Sequence, residues 1–270
     1  MPQVPKVLTI AGTDPTGGAG IQADLKAFQE CEAYGMSAIT SVLAQNTTGV
    51  QQVEHMSISL LQAQLDSVFD DIMPDAVKTG MIATPDMIRT TVNMLKKYDL
   101  PVVIDPVMVA TSGDSLSEKE TLEVMKNEFL PLAAVVTPNM AEAASLTDSQ
   151  VQSLEEMEAA AKTIVDELGA RAALVKGGHM KEDAVDILYV EGEIHYFRSP
   201  RTDTKHTHGT GCTLSAAIAA KLARGKSIYL AVQESKEYIT NAIAHPLEIG
   251  KGNGPVNHWG VRVPLDQLLK

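Results

Sequence analysis

Residues 7–31 read VLTIA GTDPTGGAG IQADLKAFQEC, three parts with three different characters. Residues 7–11 form a compact apolar run of strand length. Residues 12–20 hold four glycines and a proline, and residues 21–31 space their apolar positions as a helix does. Strand, glycine-rich loop and helix make the unit from which α/β folds are built. The alternation continues along the chain, with strands expected at 37–42, 76–78, 102–104, 133–136 and 172–175, and helices at 59–70, 85–97, 118–129 and 154–168. Short strands that are apolar on both faces, set between helices, imply a mostly parallel sheet covered on both sides.

The rhythm changes near residue 187. Residues 187–190 and 193–197 flank Glu191-Gly192 and read as two strands around a tight turn, so an antiparallel hairpin is expected at one sheet edge. A glycine-cysteine turn follows, with an apolar run from 214 to 223 and a last helix over 227–243 that stops near Pro246. With no linker-like stretch or internal repeat in 270 residues, one α/β domain spanning residues 1–270 is the expectation.

Composition narrows the function classes. The chain is 44% hydrophobic and 21% charged, ordinary for a globular protein. Thirty-four acidic against 22 basic residues give a net charge of −12, and no lysine or arginine run tracks a phosphate backbone, so nucleic acid is not an expected partner. Neither a signal region nor a bilayer-length apolar stretch is visible, which excludes a membrane partner and makes a cytoplasmic protein the expectation. Cys31 and Cys212, far apart and without nearby ligand spacing, point to neither a disulfide framework nor a structural zinc site.

His208-Gly209-Thr210-Gly211-Cys212-Thr213 is the chemically suggestive stretch. Two glycines before a helix permit close backbone approach, and the free N–H groups and macrodipole at a helix start favour an anion. A thiolate at Cys212 would be stabilised there. A glycine turn carrying a buried cysteine explains the same six residues equally well. Polar residues also follow each apolar run: the 12–20 loop, Gln45-Asn46-Thr47, Thr79-Gly80-Met81, Asp105-Pro106-Val107-Met108, Thr137-Pro138-Asn139 and Lys176-Gly177-Gly178-His179. In a parallel sheet these strand ends converge on one rim, where ligands bind. Asp105 and Glu142 are oxygen donors suited to Mg²⁺, and Lys176 suits a phosphate. Taken singly, Asn139 as a helix cap, Asp105 as a turn former and Lys176 as a solvated lysine are sufficient explanations. Walker and dinucleotide motifs both fail: Ala220 stands where a P-loop before Gly225-Lys226-Ser227 needs glycine, and Gly250, Gly252 and Gly254 open no helix.

In order, these motifs, together with Ala11 to Asp24, Lys78 to Met81 and Gly254-Pro255-Val256-Asn257-His258, resemble the hydroxymethylpyrimidine/phosphomethylpyrimidine kinases of thiamine biosynthesis. These are a branch of the ribokinase-like superfamily and sisters of the pyridoxal kinases. The resemblance implies a ribokinase-like three-layer α/β/α sandwich and ATP-dependent phosphorylation, with Mg²⁺, of a small pyrimidine alcohol and then of its monophosphate. It makes Gly209, Thr210 and Gly211 an anion hole, and Cys212 the general base where the superfamily usually has aspartate. Gln45 reads the pyrimidine, with Gly12, Asp24, Met81 and Val107 also on the substrate side. Thr137, Asn139 and Lys176 lie toward the nucleotide, while Asp105 and Glu142 hold Mg²⁺ largely through water. A homodimer is implied as well.

Two departures bear on specificity. The first loop has Thr13, Pro15 and Thr16 where many relatives have serine and further glycine. The flap Val109-Ala110-Thr111-Ser112-Gly113-Asp114 lacks the second cysteine frequent in pyridoxal kinases. Pyridoxal phosphorylation, alone or in addition, is the alternative activity. A phosphate-ligand sensor that kept the fold but lost catalysis ranks below both, because Asp105, Glu142, Lys176 and Cys212 are all present. A Cys212 sulfur remote from the pocket of Gln45 would exclude the proposed chemistry.

Overall fold

A computed structural model describes residues 4–107, 115–178 and 184–262, so the flap residues 109–114 and His179 lie outside the described residues. Nine strands among them form one sheet in the order β3-β2-β1-β4-β5-β6-β7-β8-β9. The strands are β1 (Lys6–Gly12), β2 (Tyr34–Asn46), β3 (Gly49–His55), β4 (Ala76–Thr79), β5 (Val102–Ile104), β6 (Ala133–Val136), β7 (Ala172–Lys176), β8 (Ala184–Val190) and β9 (Glu193–Ser199). Pairing is parallel from β2 through β7, whereas β3 on β2, β8 on β7 and β9 on β8 are antiparallel.

Side-chain alternation divides two cores. Val102 and Ile104 of β5 join one and Val103 the other, and Ala173 and Val175 of β7 oppose Ala172 and Leu174 in the same way. The first core is covered by α2 (Ile58–Asp71), α3 (Pro85–Leu95), α5 (Met140–Thr147) and α6 (Leu154–Asp166), with α4 (Ser115–Val124) on the same side. The second is covered by α1 (Gly20–Glu30), α7 (Thr210–Ala223) and α8 (Ile228–Ala244). This is the expected three-layer α/β/α arrangement with a mostly parallel sheet.

Helix α7 is central. Thr213 through Ala220 are all buried, because α1, α8 and strands β1, β4 and β5 pack around it. Its alanines and serine permit that close approach, and a helix apolar all round is one enclosed by neighbours. The edge hairpin is also as expected. Glu191 (φ 54°) and Gly192 (φ 81°) both take positive φ, the geometry that joins two-residue hairpins without splaying their strands.

Three local readings differ. The helix expected over 118–129 is α4 followed by a π-helical turn (Met125–Phe129) and a 3₁₀ turn (Leu130–Leu132). The second strand does not end at residue 42: β2 runs on to Asn46, placing Gln45 within a strand rather than a turn. Strand β3, absent from the sequence reading, pairs with it. Residues GVQQVEH are mostly exposed, and a ribbon whose backbone groups pair antiparallel needs no continuous apolar run. Because β1 lies between β2 and β4, chain direction along the sheet reverses there. That switch opens a crevice at the strand carboxyl ends, bordered by Gly12 and Gly80.

Candidate active site

The turn before α7 is built against the first loop. Gly209 caps the helix with φ 80° and offers no side-chain acceptor to the first-turn N–H groups. A Cβ at this position would lie 1.7 Å from the Gly18 carbonyl oxygen, so the two backbones meet where only glycine fits. Thr210 donates its hydroxyl to Thr207 O at 2.7 Å, tightening the turn, and the 254–258 stretch backs it through Val256 N to His208 O at 3.2 Å. Gly211 faces a charged pair: a Cβ there would be 3.2 Å from Lys176 Nζ and 3.6 Å from Asp105 Oδ2.

Asp14 holds the two loops together, a role the sequence reading missed. Its buried carboxylate accepts from Thr16 N (2.9 Å), Thr16 Oγ1 (2.8 Å), Gly18 N (3.1 Å) and Ala19 N (2.8 Å), and it lies 2.8 Å from His208 Nε2. Burial alone would raise its pKa. The hydrogen bonds from His208 and Thr16 outweigh it and hold Asp14 well below the usual carboxylate range. The local signal was an aspartate two residues before a threonine within a glycine-rich loop, the pattern of an Asx turn.

On the β5 to β7 side, Lys176 Nζ lies 3.1 Å from Asp105 Oδ1, which also accepts from Thr137 Oγ1 at 3.2 Å. Asn139 caps α5 in a reciprocal box with Glu142: Asn139 N donates to Glu142 Oε2 at 2.7 Å and Glu142 N to Asn139 Oδ1 at 2.9 Å. The capping explanation for Asn139 therefore holds, yet both residues face the same cavity as Lys176 and Asp105, which has a volume of about 620 Å³. Burial raises the Glu142 carboxyl pKa, Lys176 opposes that and Asp105 adds to it. Lys176 stays charged because Asp105 and Glu142 overcome its desolvation. No three His, Cys, Asp or Glu side chains gather about one point among the described residues. Two carboxylates on one wall nonetheless fit Mg²⁺, which takes its remaining oxygens from water and phosphate.

A second cavity, of about 630 Å³, opens at the β1 to β4 switch and carries Gln45, Met81, Gly12, Val107 and Lys78. Cys212, His208, Ala19 and Val107 border both cavities. Cys212 thus stands at the junction and shares the pocket of Gln45.

Two expectations are corrected here. Asp24 does not line the second cavity; it is fully buried, with Lys78 Nζ at 2.9 and 2.8 Å from its two oxygens and Thr9 Oγ1 donating at 2.6 Å. Its carboxylate is spent on Lys78, which the sequence reading names in a motif without giving it a role. Nor is the Cys212 thiolate favoured by its place in the first turn. Burial pushes the thiol up to about 11, with Lys78 opposing and Asp24 and Asp105 reinforcing, so desolvation beats the helix terminus.

Comparison with known proteins follows the same lines. The phosphomethylpyrimidine kinase family model matches residues 14–257. A hydroxymethylpyrimidine/phosphomethylpyrimidine kinase of Staphylococcus aureus (strain MSSA476) is 48% identical over 259 residues, covering 94% of each chain. Among solved structures, the ADP complex of Bacillus subtilis pyridoxal kinase superimposes with a TM-score of 0.91 at 40% identity, covering 97% of this chain and all (100%) of that one. Phosphomethylpyrimidine kinase from Clostridium difficile 630 gives 0.77 at 42% identity, over 88% and 99%.

The Asp14 hub yields a test on stability. Its folded-state pKa lies below the unfolded value of about 3.9, so its contribution is present above that pH and fades as pH falls through the folded value. Asp14→Asn keeps the shape but removes the charge. Urea unfolding from pH 7 to 3 is expected to show the variant less stable by roughly 1–3 kcal/mol at neutral pH, with the gap narrowing as the pH falls. A gap independent of pH contradicts the ionised hub.

Proposed function

The chain belongs to the phosphomethylpyrimidine kinase family, and on that premise we propose how its own residues carry out the reaction. It is an ATP-dependent kinase that phosphorylates 4-amino-5-hydroxymethyl-2-methylpyrimidine and then the monophosphate, giving the diphosphate for thiamine biosynthesis. The observation that carries the assignment of roles is the position of Cys212 between the cavity of Gln45 and the cavity of Lys176.

Gln45 presents a donor and an acceptor side by side, matching an aminopyrimidine edge, while Met81, Val107 and Gly12 shape the space around the ring. The hydroxymethyl oxygen then faces the sulfur. Cys212, in the thiolate form that its raised pKa makes the minor one at neutral pH, takes the hydroxyl proton; the oxygen forms its bond to the γ-phosphorus, the bond to the β,γ-bridging oxygen breaks, and ADP leaves with that electron pair. Backbone N–H groups of Gly209 and Gly211, with that of Thr210 turned from Thr207 O at 3.2 Å, receive the equatorial phosphoryl oxygens, and Lys176 balances their charge. Thr137 and Asn139 shape the nucleotide side. Mg²⁺, held largely through water by Asp105 and Glu142, would supply further charge neutralisation on the phosphates. Asp24, paired with Lys78, takes no part on the ring.

The two steps differ in one respect. The alcohol must lose a proton, whereas the phosphate monoester accepting the second phosphoryl group is already largely ionised at neutral pH, its second pKa being about 6. A general base therefore serves the first step alone. One domain over residues 1–270, a homodimer and a cytoplasmic setting complete the reading. The single continuous sheet supports the first, the resemblance the second, and two free cysteines the third. No helix among the described residues is long and apolar enough to cross a membrane. Pyridoxal phosphorylation is the second reading, favoured by the likeness to pyridoxal kinases.

In parallel coupled ADP assays, the pyrimidine alcohol is expected to be turned over with much higher kcat/KM than pyridoxal; the reverse order moves the assignment to vitamin B6. With each acceptor supplied separately, Cys212→Ala is expected to slow phosphorylation of the alcohol by roughly a hundredfold to ten-thousandfold and that of the monophosphate far less. Equal losses in both steps, or near-native turnover of the alcohol, remove Cys212 from the role of base.

A further inference from the structure

Lys78 and Asp24 form a fully buried ion pair that the reaction as described leaves unused. Lys78 projects from β4, Asp24 from α1, and no solvent reaches either side chain. Such a pair seldom repays its desolvation, so stability alone is a weak reason for its presence. Its placement is lopsided. Lys78 belongs to the wall of the pyrimidine cavity together with Cys212, and Asp24 lies behind it, anchored by Thr9. The neighbouring wall residue is Gly80, where a Cβ would come 3.0 Å from Lys78 Nζ, so the absent side chain leaves the ammonium room beside the cavity.

We infer that Lys78 is a positioning residue for the general base, a fixed cation that Asp24 pins behind the cavity wall to balance the charge of the Cys212 thiolate. The inference rests on the reading of Cys212 as base. Other charged groups facing the sulfur come from three elements: Asp24 on α1, Asp105 after β5 and Lys176 on β7. The two carboxylates disfavour a thiolate. Each lysine has a carboxylate of its own, Lys176 in Asp105 at 3.1 Å and Lys78 in Asp24 at 2.8 Å, but only Lys78 shares the cavity of Gln45 with Cys212, and it acts in the thiolate's favour. Lys78 itself remains protonated, since Asp24, Cys212 and Asp105 outweigh its desolvation. When the thiolate takes the alcohol's proton, the ammonium keeps its partner in Asp24. The ammonium is thus shared by two anions before the proton is taken and is left paired with Asp24 alone after it.

The test reads the thiol directly, in the full chain with Cys31→Ala so that Cys212 is the sole cysteine. Alkylation by iodoacetamide is followed against pH in the parent, in Asp24→Asn and in Asp24→Asn/Lys78→Met. The last two differ by the ammonium alone. The double variant is expected to alkylate at least about tenfold more slowly than Asp24→Asn at pH 9, its midpoint displaced upward by a unit or more. Equal rates and midpoints overturn the inference. If Asp24→Asn does not fold, Asp24→Thr and Asp24→Thr/Lys78→Met take its place as a pair that again differs by the ammonium: the same slowing in the double variant supports the counter-charge, and equal midpoints refute it. Full turnover of the alcohol by Cys212→Ala would instead sink the reading of the base, whichever way the thiol titrates.

Discussion

Two segments 194 residues apart meet at the point on which the site is built. The Gly18 carbonyl presses on Gly209 so closely that no side chain fits between them, and Asp14 ties His208 to the amides of its own loop. This contact aims the first turn of α7. Without it, the first-turn N–H groups of α7 and the Cys212 side chain among them have no fixed relation to the crevice at the β1 to β4 switch. The two glycine-rich stretches are thus two sides of one junction.

Around that junction the charges come in pairs. Asp105 with Lys176, Asp24 with Lys78 and Asp14 with His208 each join a carboxylate to a nitrogen base from a different element. Lysines so held keep their charge despite burial, because a carboxylate at hydrogen-bond distance outweighs desolvation. The cysteine lacks such a dedicated partner and rises to about 11. In a pocket of this kind a thiol is a weak acid whose ionisation depends on the charges around it, Lys78 favouring the thiolate and Asp24 and Asp105 opposing it.

Much of this was legible in the sequence. The apolar runs before the glycine loop, before Asp105 and before Lys176 specify buried parallel strands, and they place their trailing polar residues on one rim. The edge hairpin was legible because Glu191-Gly192 is a turn signal between alternating strands. What escaped lacked a local signature. Strand β3 is polar, and only its pairing partner gives it meaning. The resemblance puts Asp24 on the substrate side and gives Lys78 no role, since nothing in a helix or a strand announces a partner 54 residues away. The thiol's ionisation was misread for a related reason: helix position is visible in sequence, whereas desolvation by packed neighbours is not. Asn139 shows the converse, where the modest reading as a cap was right and the residue still lines the cavity.

Backbone amide chemical shifts recorded with ADP, aluminium fluoride and the pyrimidine alcohol together offer the most direct view of the junction, because aluminium fluoride mimics a phosphoryl group in flight. The account predicts that Gly209, Thr210, Gly211 and Cys212 shift most strongly, and that they do so only when nucleotide and alcohol are both present. Shifts concentrated away from that turn, or a turn that responds fully to nucleotide alone and not to the alcohol, would contradict it.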